Sequence, residues 1–181
     1  MKFTNEKIGK TYKLTLSSLF LAIGLVLPFL TGQIPELGNM LLPMHLPVML
    51  CGLILGAPYG ALVGIVTPLL RSLIFARPVL YPAALAMAAE LATYGAVIGA
   101  IYFLSKKKTL PMLYLALVSA MTVGRLVWGA TMAALMGFSG FTFSYFLGEA
   151  VINAIPGIIL QLILIPAVML LIRRTSVGRG V

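Results

Sequence analysis

Apolar runs separated by turn residues and short charged clusters organise this chain from end to end. Set against its Gly, Pro and charged positions, the runs predict helical segments at about 14–31, 47–57, 60–76, 81–104, 110–136 and 143–172. The second segment is short, starting after Pro47 and stopping at Gly56-Ala57-Pro58-Tyr59-Gly60, so it spans a bilayer obliquely or incompletely. Pro111 after Thr109, and Pro82 after Tyr81, put proline in a first helical turn, where its missing N–H costs nothing. Pro68, Pro156 and Pro166 fall inside segments, which predicts kinks and a bent last helix.

Composition identifies the solvent. Hydrophobic residues make up 61% of the 181 positions and charged residues 9%, against about a quarter charged in a soluble domain. A spanning helix takes roughly 20 residues, so the chain holds about six spans and little else. The expected fold is a single all-α membrane domain, 1–181, a six-helix bundle with no room for a soluble catalytic domain. The formal charge of +9 does not indicate nucleic acid, because the basic residues cluster between apolar runs without interleaved aromatics.

Those clusters read as topology signals. Lys2, Lys7, Lys10 and Lys13 precede the first segment, Lys106-Lys107-Lys108 join the fourth and fifth, and Arg173, Arg174 and Arg179 follow the sixth. With an even number of spans all three fall on one side, which the positive-inside rule makes cytoplasmic. Residues 1–13 and 173–181 are then basic cytoplasmic ends. No small-x-small cleavage pattern follows Leu30, so the first run is expected to be a span rather than a secretory signal. A lone cysteine, Cys51, excludes an intrachain disulfide, and a lone histidine, His45, leaves no metal framework; no cofactor is expected.

Four ionisable residues interrupt the apolar segments: Arg71 on the third, Glu90 on the fourth, Arg125 on the fifth and Glu149 on the sixth. Each costs roughly 2.5–3.5 kcal/mol at a helix centre, so they must turn inward and find partners. Counting about 1.5 Å per residue puts all four in the outer half of the bundle. Tyr94 shares a face with Glu90, Asn153 with Glu149, and Trp128 lies three residues after Arg125. Two readings follow: interhelical bridges that neutralise one another, or a pocket open to the outside for a polar small molecule. Because the four charges cancel, they do not by themselves demand an anionic ligand.

The long outer connection, Thr31 to Leu46, has the length of a lid or binding loop. His45 stands where it enters the second segment, either as a cap or structural hydrogen bond or as a ligand contact. Gly52, Gly56, Gly60 and Gly64, together with Ala92, Ala96, Ala100, Gly95 and Gly99, place small residues at four-residue spacing. Such spacing lets helices approach closely in lipid or offers a face to a partner.

The run Leu42-Pro43-Met44-His45-Leu46-Pro47-Val48-Met49-Leu50-Cys51-Gly52, then Gly60, Pro68-Leu69-Leu70-Arg71-Ser72 and the stretch around Glu90, together with six segments and a long first loop, resembles the substrate-binding (S) components of energy-coupling-factor (ECF) transporters. The resemblance covers nearly the whole chain. It implies a multi-pass protein of a bacterial cell membrane that binds a vitamin-like small molecule from outside. It further implies docking on a transmembrane coupling (T) protein that carries two ATP-binding-cassette ATPases. No Gly-x-x-x-x-Gly-Lys-Ser/Thr loop is present, so ATP hydrolysis belongs to the partners. Family members carry Ala-x-x-x-Ala on the first helix for that docking; here the match is Ser18-Leu19-Phe20-Leu21-Ala22, with serine in the first place. The resemblance also implies that the later helices hold substrate in their outer halves. The expected pocket is therefore Arg71, Glu90, Arg125, Glu149 and Asn153, joined by Tyr94, Trp128 and His45. Pantothenate is the first substrate candidate, since an arginine holds a carboxylate while Asn and Glu bond hydroxyls and an amide. Relatives of the same architecture bind riboflavin, pyridoxine or pyrimidine-type ligands.

Two other classes compete. Gly137-Phe138-Ser139-Gly140 matches the short motif of rhomboid intramembrane proteases, but the single histidine precedes Ser139 whereas rhomboids place the base on a later helix. A stand-alone transporter or channel would also line its path with polar residues. The inner halves of these segments are almost wholly apolar, and the two halves of the chain show no obvious inverted repeat.

Overall fold

The computed structural model describes residues 9–31, 40–137 and 141–174. Among them every regular element is helical. Helix α1 (Lys10–Val26) runs into a 3-10 turn, Leu27–Thr31. Then come α2 (His45–Leu55), α3 (Ala57–Phe75), a wide π turn at Leu80–Ala84, α4 (Leu85–Leu104) and α5 (Leu110–Met136). The last segment is α6 (Phe143–Leu147), a second π turn at Gly148–Ile152 and α7 (Ile155–Arg174).

Five stretches among the described residues are long and apolar enough to cross a membrane: Lys10–Leu30, Ala57–Phe75, Leu80–Leu104, Leu110–Met136 and Phe143–Arg174. The sixth expected segment, α2, is a shorter apolar helix. The serine protease motif falls largely outside the described residues, as do residues 32–39 of the first loop and the chain ends 1–8 and 175–181.

Proline behaves differently from expectation at two places. Pro156 occupies the first turn of α7, and the break in the last segment precedes it at Asn153-Ala154; a residue without an N–H belongs where no helical partner is required. At Pro82 the regular helix does not start until Leu85, because Tyr81 is extended (φ −117°, ψ 130°). Its hydroxyl instead donates to the Leu135 carbonyl on α5. Pro68 and Pro166 sit inside continuous helices.

α4 is the centre of the bundle, packed by α2, α3 and α5, while α1 lies on α2 and α3, and α7 touches α5 and α2. The glycine spacing explains how α3 and α4 meet. A Cβ on Gly95 would overlap the Gly60 carbonyl, and one on Gly52 would stand 2.6 Å from the Gly95 oxygen. The helix backbones touch directly, the close approach that small residues permit where no hydrophobic effect drives helices together. Gly56 makes the tight turn from α2 into α3 with φ 97°, a region costly for any side chain.

The basic clusters gather at one end of this bundle. The Lys13 ammonium lies over the Tyr59 ring at 5.6 Å, just beyond the Gly56 turn. Gly56 faces the Phe103 ring, which also carries the Lys108 ammonium at 4.8 Å. Arg173 donates to the Tyr102 hydroxyl. Burial, and secondarily the Arg173 charge, hold the Lys108 ammonium below the usual lysine range. α2 leads away from this end, so its first residue, His45, lies at the opposite level, about 16 Å along the helix at 1.5 Å per residue.

Candidate functional site

The buried charge sits where α2, α4 and α5 converge. Glu90, on α4, is fully buried, and its Oε1 takes two neighbours: Arg125 Nη1 of α5 at 3.0 Å and His45 Nε2 of α2 at 3.5 Å. One carboxylate oxygen thus ties three helices. An unpaired charge here would be expensive, and a buried ion pair holds only when geometry and further polar contacts support it.

Local structure delivers each side chain. Glu90 and Tyr94 are one helical turn apart on the buried face of α4. The Tyr94 ring lies 5.2 Å from the His45 ring, tilted by 60°. Gly124, beside Arg125 on α5, leaves room for that ring: a Cβ there would collide with it. His45 arrives through a turn in which Leu42 is left-handed (φ 51°) and its carbonyl accepts the His45 N–H at 3.0 Å. For a residue with a side chain this conformation costs about 1–2 kcal/mol, and it sets the first residue of α2 over Glu90.

The guanidinium of Arg125 is only partly used. Its side chain is 13% exposed, Nη1 faces Glu90, and Nε and Nη2 are buried without a hydrogen-bond partner. Gln161 of α7 is 1% exposed, and its Nε2 is likewise buried and unpartnered. Buried polar groups are nearly always satisfied, and each one left open costs about 1–3 kcal/mol.

The other sequence candidates occupy separate surroundings. Arg71 is buried, but its Nη1 donates to the Leu25 carbonyl of α1 at 2.5 Å, and its guanidinium lies 5.1 Å and 5.2 Å from the Phe29 and Phe75 rings. It braces the end of α1 against α3. Glu149 accepts a 3.1 Å bond from Asn153 Nδ2, the predicted one-turn pair, at an exposed position. The structure therefore brings together Glu90, Arg125, His45 and Tyr94, and gives Arg71 and Glu149 other partners. The expected convergence of four charges becomes a convergence of two, because a carbonyl with two aromatic faces satisfies one arginine and an amide satisfies one glutamate.

Trp128 belongs to an aromatic group that sequence reasoning did not assemble. Its ring is 6.1 Å from Phe141 and 6.4 Å from Phe146, and Gly129 makes room for Phe146. Gln161 was missed as well, although a lone amide inside the apolar run from Ile155 to Ile172 was a visible signal. An apolar groove of about 180 Å³ opens between α1, α2 and α7, lined by Phe20, Ile23, Leu46, Pro47, Leu50 and Ile165 among others. Exposed Ser18 and Ala22 lie one turn apart on α1, away from its buried Ser17, Phe20 and Gly24. The Ser18 hydroxyl is satisfied internally by the Leu14 carbonyl.

A family model described as "ECF transporter, substrate-specific component" matches residues 12–169. No curated protein and no solved structure matches significantly.

Proposed function

The chain belongs to the substrate-specific components of ECF transporters, and from that premise we propose that it captures a vitamin or related micronutrient outside a bacterial cell and delivers it to a shared ATP-driven module. Members of this family are substrate-binding transporter subunits rather than enzymes, working in the membrane with T and ATPase modules. In this reading the partners are one T protein and two ATP-binding-cassette ATPases.

The observation that carries the proposal is the Glu90 carboxylate, buried between Arg125 and His45 with donor atoms beside it left open. A bundle that needed charge neutralisation alone would close those donors. The gathering of Lys13, Lys108 and Arg173 at one end supports six crossings, counting α2, with both chain termini cytoplasmic under the positive-inside rule. The site, at the other level of the bundle, then faces outside. The whole chain acts as one membrane domain with basic ends at 1–13 and 173–181.

His45, Glu90, Tyr94 and Arg125 form the proposed floor of the substrate site, and Trp128 with Phe141 and Phe146 its aromatic side. Arg71 keeps the α1 end in place beside it, and Glu149 and Asn153 offer a carboxylate and an amide on the segment after α6. Pantothenate is the first substrate to try.

Two measurements test the reading. Thermal stability of the purified protein should rise by about 2.7 kcal/mol equivalent when a true substrate is present at about 100 times its dissociation constant. Vesicles holding the chain with its T and ATPase partners should accumulate that substrate only with ATP. Accumulation by the chain alone would sink the proposal in favour of a stand-alone transporter.

A further inference from the structure

Arg125 presents two distinct edges. Nη1 is committed to Glu90, which fixes the plane of the guanidinium. Nε and Nη2 make up its side edge, two N–H donors pointing the same way, and both are buried with no partner. That edge matches two oxygens on one carbon, the planar bidentate geometry of a carboxylate. Glu90 Oε1 lies within ion-pair distance of Arg125 Nη1 and His45 Nε2 without a hydrogen bond to either.

Gln161 adds a third open donor, and its neighbours fix its level. One turn before it, a Cβ on Gly157 would stand 2.6 Å from the Met40 carbonyl oxygen and 3.0 Å from Leu41 and Leu42, so the glycine lies close against that segment. One turn after it, Ile165 lines the groove with Leu46, Pro47 and Leu50. Positions 157, 161 and 165 share a helix face, so Gln161 lies at the level of residues 42–46, the entry of α2 where His45 stands. Three unpartnered donors from two helices are thus buried at this level, beside Glu90 Oε1 and the two His45 ring nitrogens, which likewise make no hydrogen bond among the described residues.

We propose that the substrate carries a carboxylate that docks on the Nε–Nη2 edge of Arg125, with the Gln161 amide donating a further hydrogen bond to the same molecule. Gln161 becomes a specificity-determining residue for capture. This rests on the reading of the chain as a substrate-binding subunit, and it excludes micronutrients without an acid group as the physiological cargo.

Matched pairs test it on the full chain in lipid nanodiscs by calorimetry: pantothenate against pantothenol, biotin against its amide, nicotinate against nicotinamide, lipoate against lipoamide, with riboflavin, thiamine and pyridoxine as ligands lacking a carboxylate. One acid should bind at least 100-fold more tightly than its uncharged counterpart. Arg125→Lys, which keeps the charge and loses the fork, and Gln161→Met, which keeps the volume and loses the amide, should each weaken the acid at least tenfold and leave the counterpart unchanged. Two variants guard against one failing to fold, and a purely structural role would weaken both members of a pair alike. Equal affinity within the pair, or binding confined to a ligand lacking a carboxylate, overturns the carboxylate inference and leaves the substrate-binding reading standing. No saturable binding to any of these ligands by a folded protein overturns the inference, and failure to assemble with a T protein as well removes both readings.

Discussion

The ring of Tyr94 fills the space that a side chain on residue 124 would take: a Cβ on Gly124 would fall onto the ring carbons. That contact sets the spacing of α4 and α5, and it holds Tyr94 against His45, 5.2 Å away, one turn from the Glu90 that Arg125 grips. Gly124→Ala is therefore an overpacking change at the site, with an expected loss of about 1–3 kcal/mol. Thermal unfolding in detergent should show a lower midpoint, and substrate affinity should fall with it. An unchanged midpoint would mean that Tyr94 has another rotamer available and does not position His45.

Glu90 neutralises Arg125 and meets His45 through the same oxygen. Glu90→Gln leaves a buried guanidinium without its counter-ion, which is expected to cost about 3–5 kcal/mol. The double variant Glu90→Gln with Arg125→Gln removes both charges and should recover a substantial part of that stability while binding no substrate. A double variant no more stable than Glu90→Gln alone would show that the pair is not the energetic unit described here.

Much of this is legible in the amino-acid sequence itself. Glu90 and Arg125 stood out because a charge in an apolar helix must be paired, and they are. Arg71 and Glu149 stood out for the same reason, and each has a partner other than the Glu90–Arg125 pair. Counting residues along a helix gives depth and says nothing of which neighbour a side chain turns to, and a carbonyl with two aromatic rings satisfied Arg71 as well as a carboxylate could. His45 could not be placed on Glu90, since that contact depends on the left-handed Leu42 at the end of a loop. Gln161 escaped because no ionisable residue stands one turn from it, the spacing that marked Asn153, although a buried amide obeys the same accounting. The helix ends were the remaining error: Tyr81 and Pro156 show that proline marks a helix start to within a turn, with the side of the proline left open.

The α3–α4 contact gives a sharp contrast between neighbours. Gly95 is buried against Gly60 and Gly52, backbone to backbone, whereas Ala96 is half-buried. Gly95→Ala forces two helices apart, since no flexible side chain is there to give way, and its cost should reach or exceed the upper end of the about 1–3 kcal/mol range for overpacking. Ala96→Ser should change stability by less than about 0.5 kcal/mol, as surface substitutions do. Size-exclusion profiles and unfolding midpoints of the two variants decide between this and a looser packing that tolerates both.

Docking on the T protein is the part of the function that the isolated chain leaves open on its surface. Ser18 and Ala22 are exposed, one turn apart on α1 and small, with the Ser18 hydroxyl already bonded to the Leu14 carbonyl. The pair therefore presents a flat, apolar patch on which another helix can approach closely. Serine in the first place of the Ala-x-x-x-Ala pattern does not spoil such a patch, because its polar atom is satisfied within α1. Ala22→Trp should abolish co-purification with the T and ATPase partners and leave substrate affinity of the isolated chain within about twofold, since α1 faces α2 and α3 through other residues. Ser18→Ala should assemble at least as well as the parent. If the Ala22→Trp complex persisted, docking would have to be assigned to another face, and loss of substrate binding in the isolated variant would place Ala22 in the fold of the site rather than at the interface.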